Sequence, residues 1–413
     1  MVEIATALTH VSRDFAMTIL IKTRRFDMKK RLICLLIAAV LIVMPLCACS
    51  ESGHTLYVRD EYGNDKMKAT FINSDTGEKK EVNMKKIDSG DAYTEFSCKA
   101  DTSVYDRVVL GSGDDSTAQL AFNDYVNGWE LSSRRFYPYI HSKQTKEPEY
   151  KRKSFDYQER TKDILIWTPE DYDAKSEDKY SVIYMTDGQN LFDPAATSTG
   201  SWGVAESALA MMSLTNEKFI IVGIENADSW RDDELTPDIG EVLSEDYKNG
   251  HGEYFCDFVV NTVKPYIEKN YNVYTDREHT SVCGSSSGGI ESFYIAMEHP
   301  ELFGSVGALS PAFLLYSDRT WIDYLGSKKF SEGYPTVYIY SGFAASDQLE
   351  KQISLKAEVM PSNLETVGYP KDKIILKTYE EGIHNEMYWR AVFPDYLKYA
   401  FPNAELISTE EQK

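Results

Sequence analysis

The chain contains few cysteines and no Cys-x-x-Cys motif. It has 413 residues and six cysteines, of which only Cys98, Cys256 and Cys283 lie beyond the first fifty residues, and no two are spaced as Cys-x-x-Cys. This spacing argues against a disulfide framework and against a zinc site of the finger type. We expect these three side chains to be inert thiols in the core, with a bridge between Cys256 and Cys283 as the alternative.

Basic residues are fewer than acidic ones. The chain has 44 lysines and arginines against 65 aspartates and glutamates, which gives a formal net charge of −21. A surface this acidic repels nucleic acid and anionic lipid. Nucleic acid is therefore excluded as a partner, although the charge does not identify a substrate.

No hydrophobic run is long enough for a comfortable membrane span. The most apolar segment, Leu32–Leu46, has 15 residues, whereas a transmembrane helix needs about 20. It follows the basic stretch 28–31, and this order is typical of a secretory signal peptide. We interpret residues 1–27 as an extension upstream of that signal.

The end of the signal segment carries a possible lipidation site. The residues Leu46-Cys47-Ala48-Cys49 resemble a bacterial lipobox. The resemblance implies that Cys49 becomes the lipidated first residue of a mature lipoprotein anchored at the bacterial cell surface. The alternative is an ordinary secretory signal that is cut near Ala48 and leaves no anchor.

The pattern of apolar residues divides the rest of the chain into two predicted domains. Short alternating runs separated by Asp, Gly, Asn and Ser turns predict a small all-β sandwich domain. Later in the chain, strand-like runs alternate with helical ones, which predicts an α/β domain with a mainly parallel sheet. We therefore predict a tether at 49–54, the sandwich at 55–140, a linker at 141–154, the α/β domain at 155–403 and a disordered tail at 404–413.

The predicted sandwich loosely resembles carbohydrate-binding modules of the starch-binding type. Its Tyr57, Tyr93, Tyr125 and Trp129 are candidate stacking platforms for sugar rings. The alternative is that these rings fill the core of the domain or the seam between domains.

The candidate nucleophile is Ser286. It is the middle residue of Gly284-Ser285-Ser286-Ser287-Gly288, between a predicted strand at 279–283 and a predicted helix at 287–297. Small residues at a strand-to-helix turn are typical of a nucleophile elbow, which projects one hydroxyl above the sheet. The alternative is a plain glycine-serine loop.

Oxyanion donors are predicted from two loops. The backbone N–H of Ser287 opens the helix after the elbow, and helix N-termini stabilise developing negative charge. The sequence Asp187-Gly188-Gln189 follows an early strand, where hydrolases of this architecture place a second donor. We assign that donor to the N–H of Gln189, with a simple Asp-Gly turn as the alternative.

The remaining members of a catalytic triad are sought further along the chain. His384 lies between the last predicted strand and a closing helix, in the order nucleophile, acid, histidine that this fold requires. Asp347 follows the predicted strand 337–340 and is our candidate acid. Glu350 is the poorer candidate because we expect it on the following helix.

Several phrases in residues 155–402 resemble the putative esterase family of α/β-hydrolases, which includes enterochelin esterase, esterase D and many acetyl-xylan and feruloyl esterases. Besides the elbow, the matching stretches are residues 184–192, 202–204, 222–226, 231–237, 310–313 and 382–389. The resemblance implies an α/β-hydrolase that cleaves a carboxylic ester through an acyl-enzyme on Ser286, with neither a metal nor an organic cofactor.

The resemblance also suggests which residues line the substrate site. Asp187, Gly188, Trp202, Arg231 and Glu234 are the candidates, and a surface ion pair is the alternative for Arg231 and Glu234. One position departs from the family pattern. Relatives usually have an acidic residue at the position of Ala345, so either Asp347 takes that role or the triad is degraded.

The sequence therefore predicts a serine esterase that removes acetyl or feruloyl groups from polysaccharide outside the cell. One alternative is a siderophore esterase of the enterochelin type. The other is a lipoprotein whose hydrolase domain has lost its chemistry and only binds glycan.

Overall fold

A computed structural model describes residues 53–89, 92–112, 115–132, 134–136 and 147–407. The predicted signal segment, Cys49 and most of the predicted linker lie outside these residues. In the ranges described, no helix has the length and apolar character needed to span a bilayer.

The N-terminal part is all-β and contains two sheets. One has the strand order β10-β9-β1-β5-β4, and the other has β3-β2-β6-β7 with β8 paired to β6. Inward side chains such as Val58, Phe71 and Phe96 belong to one shared hydrophobic cluster. The strands are β1 His54–Asp60, β2 Lys68–Ile72, β3 Lys79–Asn83, β4 Lys85–Ser89, β5 Thr94–Ala100, β6 Arg107–Ser112, β7 Asp115–Ser116, β8 Leu120–Ala121, β9 Gly128–Glu130 and β10 Arg135–Phe136.

Two of the four aromatics proposed as sugar platforms have other roles here. Trp129 is 3% exposed and belongs to the core of the all-β part. The Tyr125 hydroxyl donates to the carbonyl of Ala404, 3.2 Å away. These contacts agree with the alternative interpretation, in which the rings fill the core of the domain or the seam between domains.

The C-terminal part is built on an eight-stranded mixed sheet with the order β11-β12-β14-β13-β15-β16-β17-β18. Strand β12 runs antiparallel to β11 and β14, and the neighbours from β14 to β18 are parallel. This is the sheet of an α/β-hydrolase. Its strands are β11 Tyr150–Tyr157, β12 Arg160–Trp167, β13 Ser181–Met185, β14 Phe219–Ile224, β15 Thr280–Ser285, β16 Ser305–Leu309, β17 Thr336–Gly342 and β18 Ile374–Tyr379.

Helices cover both faces of this sheet. Helices α1 and α9 pack with one hydrophobic cluster, and most of the others pack with a second cluster. The helices are α1 Val204–Met212, α2 Arg231–Glu234, α3 Gly252–Phe258, α4 Lys264–Asn270, α5 Ser287–Glu298, α6 Asp318–Gly326, α7 Gln348–Ala357, α8 Met360–Thr366 and α9 Glu386–Ala400.

Strand β13 shows why the sheet is buried on both sides. Val182 and Tyr184 belong to one cluster, whereas Ile183 and Met185 belong to the other. Successive side chains of a strand point to opposite faces, so a continuous apolar run is needed when helices cover both.

A π-helical turn joins α3 to α4. The apolar stripe from Phe255 to Ile267 predicts one helix that Pro265 kinks or delays. The structure has α3, then a π-helical turn at Val259–Val263, then α4 with Pro265 in its first turn. The backbone stays helical through this turn, so Pro265 lies within one continuous helical path, where proline and a π-helical turn are both recognised causes of a kink.

Two predicted boundaries differ from the structure. Strand β11 begins at Tyr150, inside the predicted linker, and pairs with β12 along its whole length. At the other end, Ala404 is buried and Leu406 bridges to Thr215, so residues 404–407 are part of the folded structure. The linker was predicted from its polar composition, and backbone pairing outweighs that composition.

The all-β part packs directly on the C-terminal part, and residues Gly53–Lys413 form one compact unit. Ala210 of α1 and Ala391 of α9 belong to the hydrophobic cluster of the all-β part. The Asn123 amide donates to the Pro394 carbonyl, 3.4 Å away. Helix α9 therefore contacts both the mixed sheet and the all-β part.

The three cysteines are buried free thiols. Burial raises the pKa of Cys98 to about 12 and raises the pKa of Cys256 and Cys283 as well. Since the thiolate is the reactive form, these side chains are inert, as the sequence predicted.

Glu291 of helix α5 is fully buried. Its side chain is 0% exposed, and in the part of the chain described here neither carboxyl oxygen has a hydrogen-bond partner. Burial, followed by the charges of Glu253 and Glu234, raises its pKa well above the ordinary value. Glu291 is therefore a neutral acid at pH values where an exposed glutamate is ionised.

We expect Glu291→Gln to raise the midpoint of thermal unfolding at pH 8 and to change it much less at pH 5. Above a pKa of about 4.3 the unfolded carboxyl loses its proton, whereas the native one keeps it. The native state then binds more protons, so wild-type stability falls as pH rises through this range. Calorimetry at both pH values measures the effect, with Glu245→Gln, whose carboxylate is 82% exposed, as the control. An equal pH dependence in all three proteins would contradict a neutral Glu291.

Candidate active site

The elbow has the backbone that its sequence predicts. Ser286 joins β15 to α5 with φ 57° and ψ −124°, a conformation that non-glycine residues rarely adopt. Its N–H donates to the Leu309 carbonyl at 3.0 Å, and its carbonyl accepts the N–H of Ala312 at 3.1 Å. These bonds to the end of β16 and to the loop after it hold Ser286 in its strained conformation.

Two glycines make the elbow possible. A Cβ at Gly284 would lie 2.4 Å from the Gly288 carbonyl oxygen, and a Cβ at Gly288 would lie 2.1 Å from Thr186 Oγ1. Any larger residue would push the strand, the helix and the β13 loop apart. Close backbone packing is thus the physical reason for the glycine positions of this motif.

The predicted oxyanion donors are free to bind a ligand. Among the described residues, the backbone N–H groups of Ser287 and Gln189 have no hydrogen-bond partner. Gly188 lies against strand β14, since its Cβ would come within 2.6 Å of the Gly223 carbonyl carbon. The loop after β13 is therefore seated closely on the neighbouring strand.

Arg231 fixes this loop through Asp187. The guanidinium donates from Nε to Asp187 Oδ1 at 2.6 Å and from Nη2 to Oδ2 at 2.8 Å, and Asn226 Nδ2 donates to Oδ1 at 2.6 Å. Asp187 itself has φ 53° and is buried. Burial works against the charged guanidinium, yet the Asp187 carboxylate raises the pKa of Arg231 above its ordinary value.

A second contact ties Arg231 to the elbow. Its Nη1 donates to Asp232 Oδ1 at 3.2 Å, and the same oxygen accepts the Ser287 hydroxyl at 2.9 Å. Arg231 and Asp187 were predicted to contact substrate. The structure instead gives them partners that hold the two oxyanion loops in register.

We expect Arg231→Ala to lower kcat by about 10- to 100-fold, with a smaller change in KM. Losing one oxyanion donor outright costs about 100-fold or more, and the variant would loosen the Gln189 loop rather than delete it. The kcat of Arg231→Lys should lie between those of Arg231→Ala and the wild type, because lysine keeps the charge but cannot make the bidentate contact. Steady-state kinetics test this, with the exposed Arg319→Ala as control. A higher KM at unchanged kcat would instead indicate direct substrate binding by Arg231.

His384 pairs with Glu350. The distance from His384 Nδ1 to Glu350 Oε2 is 2.7 Å, and Glu350 is 0% exposed. Its other oxygen accepts the Gly342 N–H at 2.7 Å and the Ser310 hydroxyl at 2.8 Å. A buried carboxylate fixed in this way orients an imidazole so that Nε2 is free to act as a base.

Asp347 bonds to the backbone of His384 and not to its imidazole, so the expectation for the acid is corrected. Its Oδ2 accepts the backbone N–H of His384 at 2.9 Å, and its Oδ1 accepts the N–H of Glu350 at 3.0 Å. Burial would raise the pKa of Asp347, but these N–H groups lower it below its ordinary value. Asp347 is the N-cap of α7, and Glu350 extends from the first turn of that helix.

Ser286 and the surroundings of His384 are both linked to residues 309–312. Ser286 bonds to Leu309, the last residue of β16, and to Ala312 in the loop that follows, and the Trp389 ring, 5.2 Å from the His384 ring, donates to Ser310. Across the described ranges, the Ser286 hydroxyl forms no hydrogen bond, with His384 or any other group. Such catalytic bonds commonly tighten only when substrate binds.

Of the other three predicted substrate contacts, Gly188 lies against strand β14, and Trp202 and Glu234 lie in the interior. Trp202 is 1% exposed and packs 5.4 Å from Trp389, so its ring has no free face for a ligand. Glu234 is 6% exposed and pairs with Lys162 at 2.8 Å. Its second partner is the N–H of Ala227, so Glu234 shapes the loop after β14 from below.

The described residues contain no group of three or more His, Cys, Asp or Glu side chains placed to hold a metal ion.

Three residues of the site were absent from the predicted set or ranked low in it: Glu350, Ser310 and Asn226. Ser310 and Asn226 lie in stretches that carry the family resemblance. The signal for Glu350 was its position three residues after a helix cap, where a side chain faces back toward the preceding loop.

Comparison with known proteins gives one family match. A family model described as "Putative esterase" matches residues 157–400. An uncharacterized protein of Bacillus subtilis (strain 168), YbbA, is 23% identical over 245 residues, which cover 58% of this chain and 92% of that protein.

Similar solved structures have low sequence identity. A ferulic acid esterase of Anaeromyces mucronatus is 19% identical, with a TM-score of 0.47 over 63% of this chain and 94% of that chain. An IroE-like serine hydrolase of Shewanella oneidensis is 21% identical, with a TM-score of 0.49 over 62% and 81%. The enterobactin esterase of Shigella flexneri is 14% identical, with a TM-score of 0.49 over 84% and 93%.

Proposed function

Since this chain belongs to the putative esterase family, whose model covers residues 157–400, we propose that it hydrolyses a carboxylic ester through an acyl-enzyme on Ser286. The observation that carries the proposal is the strained elbow at Ser286 together with the free N–H groups of Ser287 and Gln189. This arrangement suits a tetrahedral intermediate, because donors lie ready where the negative charge develops.

The proposed reaction has two halves. His384 accepts the proton of Ser286 as the oxygen attacks the ester carbonyl, while Glu350 stabilises the imidazolium. The two backbone N–H groups hold the oxyanion, and the alcohol leaves with the proton from His384. Water then attacks the acyl-enzyme with His384 as base, and the acid is released.

The contact between His384 and Glu350 argues against a degraded triad. The case for lost chemistry rested on Ala345, where relatives usually have the acid. A buried carboxylate lies 2.7 Å from Nδ1 even so, five positions later on the first turn of α7. An acid is therefore present, and the alanine at 345 does not remove it.

For the substrate, we propose acetyl or feruloyl esters of polysaccharide, cleaved outside the cell by a lipid-anchored enzyme. The lipobox-like residues around Cys49 and the family resemblance support this proposal. A siderophore ester is the competing substrate within the same chemistry. Glycan binding by the all-β part has weaker support, because Trp129 is buried in the core and the Tyr125 hydroxyl bonds to Ala404.

A panel of substrates tests the function. We expect hydrolysis of at least one acetyl, feruloyl or butyryl ester and covalent labelling by a fluorophosphonate probe. A ferric siderophore in the same panel distinguishes the competing substrate. If neither hydrolysis nor labelling occurs at pH 7 to 8, the protein is not a serine esterase.

A further inference from the structure

The all-β part reaches the segment before His384 through one arginine. Arg107, the first residue of β6, is 6% exposed. Its Nη2 donates to the carbonyl of Thr378 at 2.7 Å, and its guanidinium carbon lies 3.7 Å from the centre of the Tyr379 ring. The arginine thus holds the end of β18 by a charge-assisted hydrogen bond and a cation–π contact.

Arg107 is itself held in place by the all-β part. Its Nη1 donates to Gln119 Oε1 at 3.1 Å, and Asp106 Oδ2 lies 3.8 Å from its Nε. The same Asp106 oxygen lies 3.5 Å from Lys377 Nζ. The guanidinium is therefore fixed on one side by β6 and its neighbours and on the other by β18.

Tyr379 passes this restraint to the loop that carries His384. The ring is 2% exposed, and burial raises the pKa of its hydroxyl, so Arg107 faces a neutral ring. The Tyr379 carbonyl accepts the N–H groups of Gly382 at 3.0 Å and Phe343 at 2.9 Å. One carbonyl therefore joins the histidine loop to the end of β17.

The two loops then contact each other without room for a side chain. A Cβ at Gly342 would lie 2.3 Å from the Gly382 carbonyl, and the Gly382 carbonyl accepts the N–H of Ala344 at 3.1 Å. His384 follows two residues later. Its backbone N–H bonds to Asp347, and its imidazole pairs with Glu350. A shift of Tyr379 would therefore move both the histidine and its acid loop.

We propose that Arg107 is a positioning residue, through which the all-β part holds the catalytic histidine loop in its working geometry. This inference rests on the proposed esterase function and deepens it. The all-β part is then required for turnover itself, whatever it binds. A separable binding module would have no such contact with the end of β18.

Four variants test the proposal. Arg107→Ala removes both contacts and is expected to lower kcat by about 10- to 100-fold, because a small displacement of a catalytic group has effects of that size. KM should change by less than about threefold. Tyr379→Leu should behave like Arg107→Ala, whereas Tyr379→Phe keeps the ring and should keep kcat near that of the wild type.

The matched control is Val108→Ala. Val108 is the next residue of β6 and is buried in the hydrophobic cluster of the all-β part, so its truncation loosens the same strand without touching β18. If Val108→Ala lowers kcat as much as Arg107→Ala does, or if Arg107→Ala leaves kcat within twofold of wild type, the proposal is overturned.

Hydrogen exchange separates this proposal from the proposed function. Arg107→Ala should speed amide exchange in residues 380–385, and Val108→Ala should not. Faster exchange in a protein that hydrolyses no ester would refute the esterase and leave the positioning role standing. Unchanged exchange together with unchanged kcat would refute the positioning role and leave the esterase standing.

Discussion

Ser286→Ala is expected to abolish fluorophosphonate labelling and to lower kcat/KM for esters by about 10⁴-fold or more. The reason is the backbone of the elbow. Of the three consecutive serines at 285–287, only Ser286 has a positive φ, of 57°, so a neighbouring serine cannot replace it. Labelling followed by gel detection, together with steady-state kinetics, measures the loss.

The flanking serines provide the controls. Ser285 is 3% exposed at the end of β15, and Ser287 donates its hydroxyl to Asp232. Ser285→Ala should keep labelling, and Ser287→Ala should keep it at a reduced rate, since its backbone N–H remains. Labelling that survives in Ser286→Ala would refute the acyl-enzyme on this residue.

The second large effect is expected from Glu350→Gln, which should lower kcat by about 10⁴-fold. An amide in place of the carboxylate favours the wrong tautomer of the histidine and does not stabilise the imidazolium. Asp347→Asn should cost less than about tenfold, because an amide oxygen still accepts the N–H groups of His384 and Glu350. The comparison measures kcat for both variants with the same ester.

Each outcome assigns the acid. If Asp347→Asn loses activity and Glu350→Gln keeps it, the carboxylate predicted from the sequence is the working one and the contact at Nδ1 is not catalytic. Unfolding midpoints must be measured as well, because Glu350 also accepts hydrogen bonds from Gly342 and Ser310. A loss of kcat in a Glu350→Gln protein that unfolds at the wild-type temperature supports the assignment to Glu350.

The parts of the site that could be predicted are those that depend on local sequence. Gly284 and Gly288 leave room for the tight turn from strand to helix. The elbow can therefore be predicted from the five residues 284–288. The family, predicted from such stretches, is confirmed by the match over residues 157–400. The inner strands of the mixed sheet were also predictable, because burial on both faces requires continuous apolar runs.

The parts that could not be predicted depend on long-range packing. Whether Asp347 or Glu350 meets His384 is decided by the angle at which α7 leaves β17, and residue type does not report that angle. Trp202 was a candidate substrate contact from the family resemblance but lies against Trp389 in the core. The polar residues before 155 belong to an edge strand, and charged side chains are common on edges because they discourage pairing with other chains.

The contacts between the two ends of the chain bear on how the protein folds during synthesis. The all-β part leaves the ribosome first, yet its hydrophobic cluster includes Ala391 of the last helix, and Asn123 bonds to Pro394. Contacts over such sequence separations form late and slow folding. The early strands must therefore wait with part of their apolar surface uncovered, so a nascent chain that stalls before α9 should be the species most exposed to proteases and chaperones.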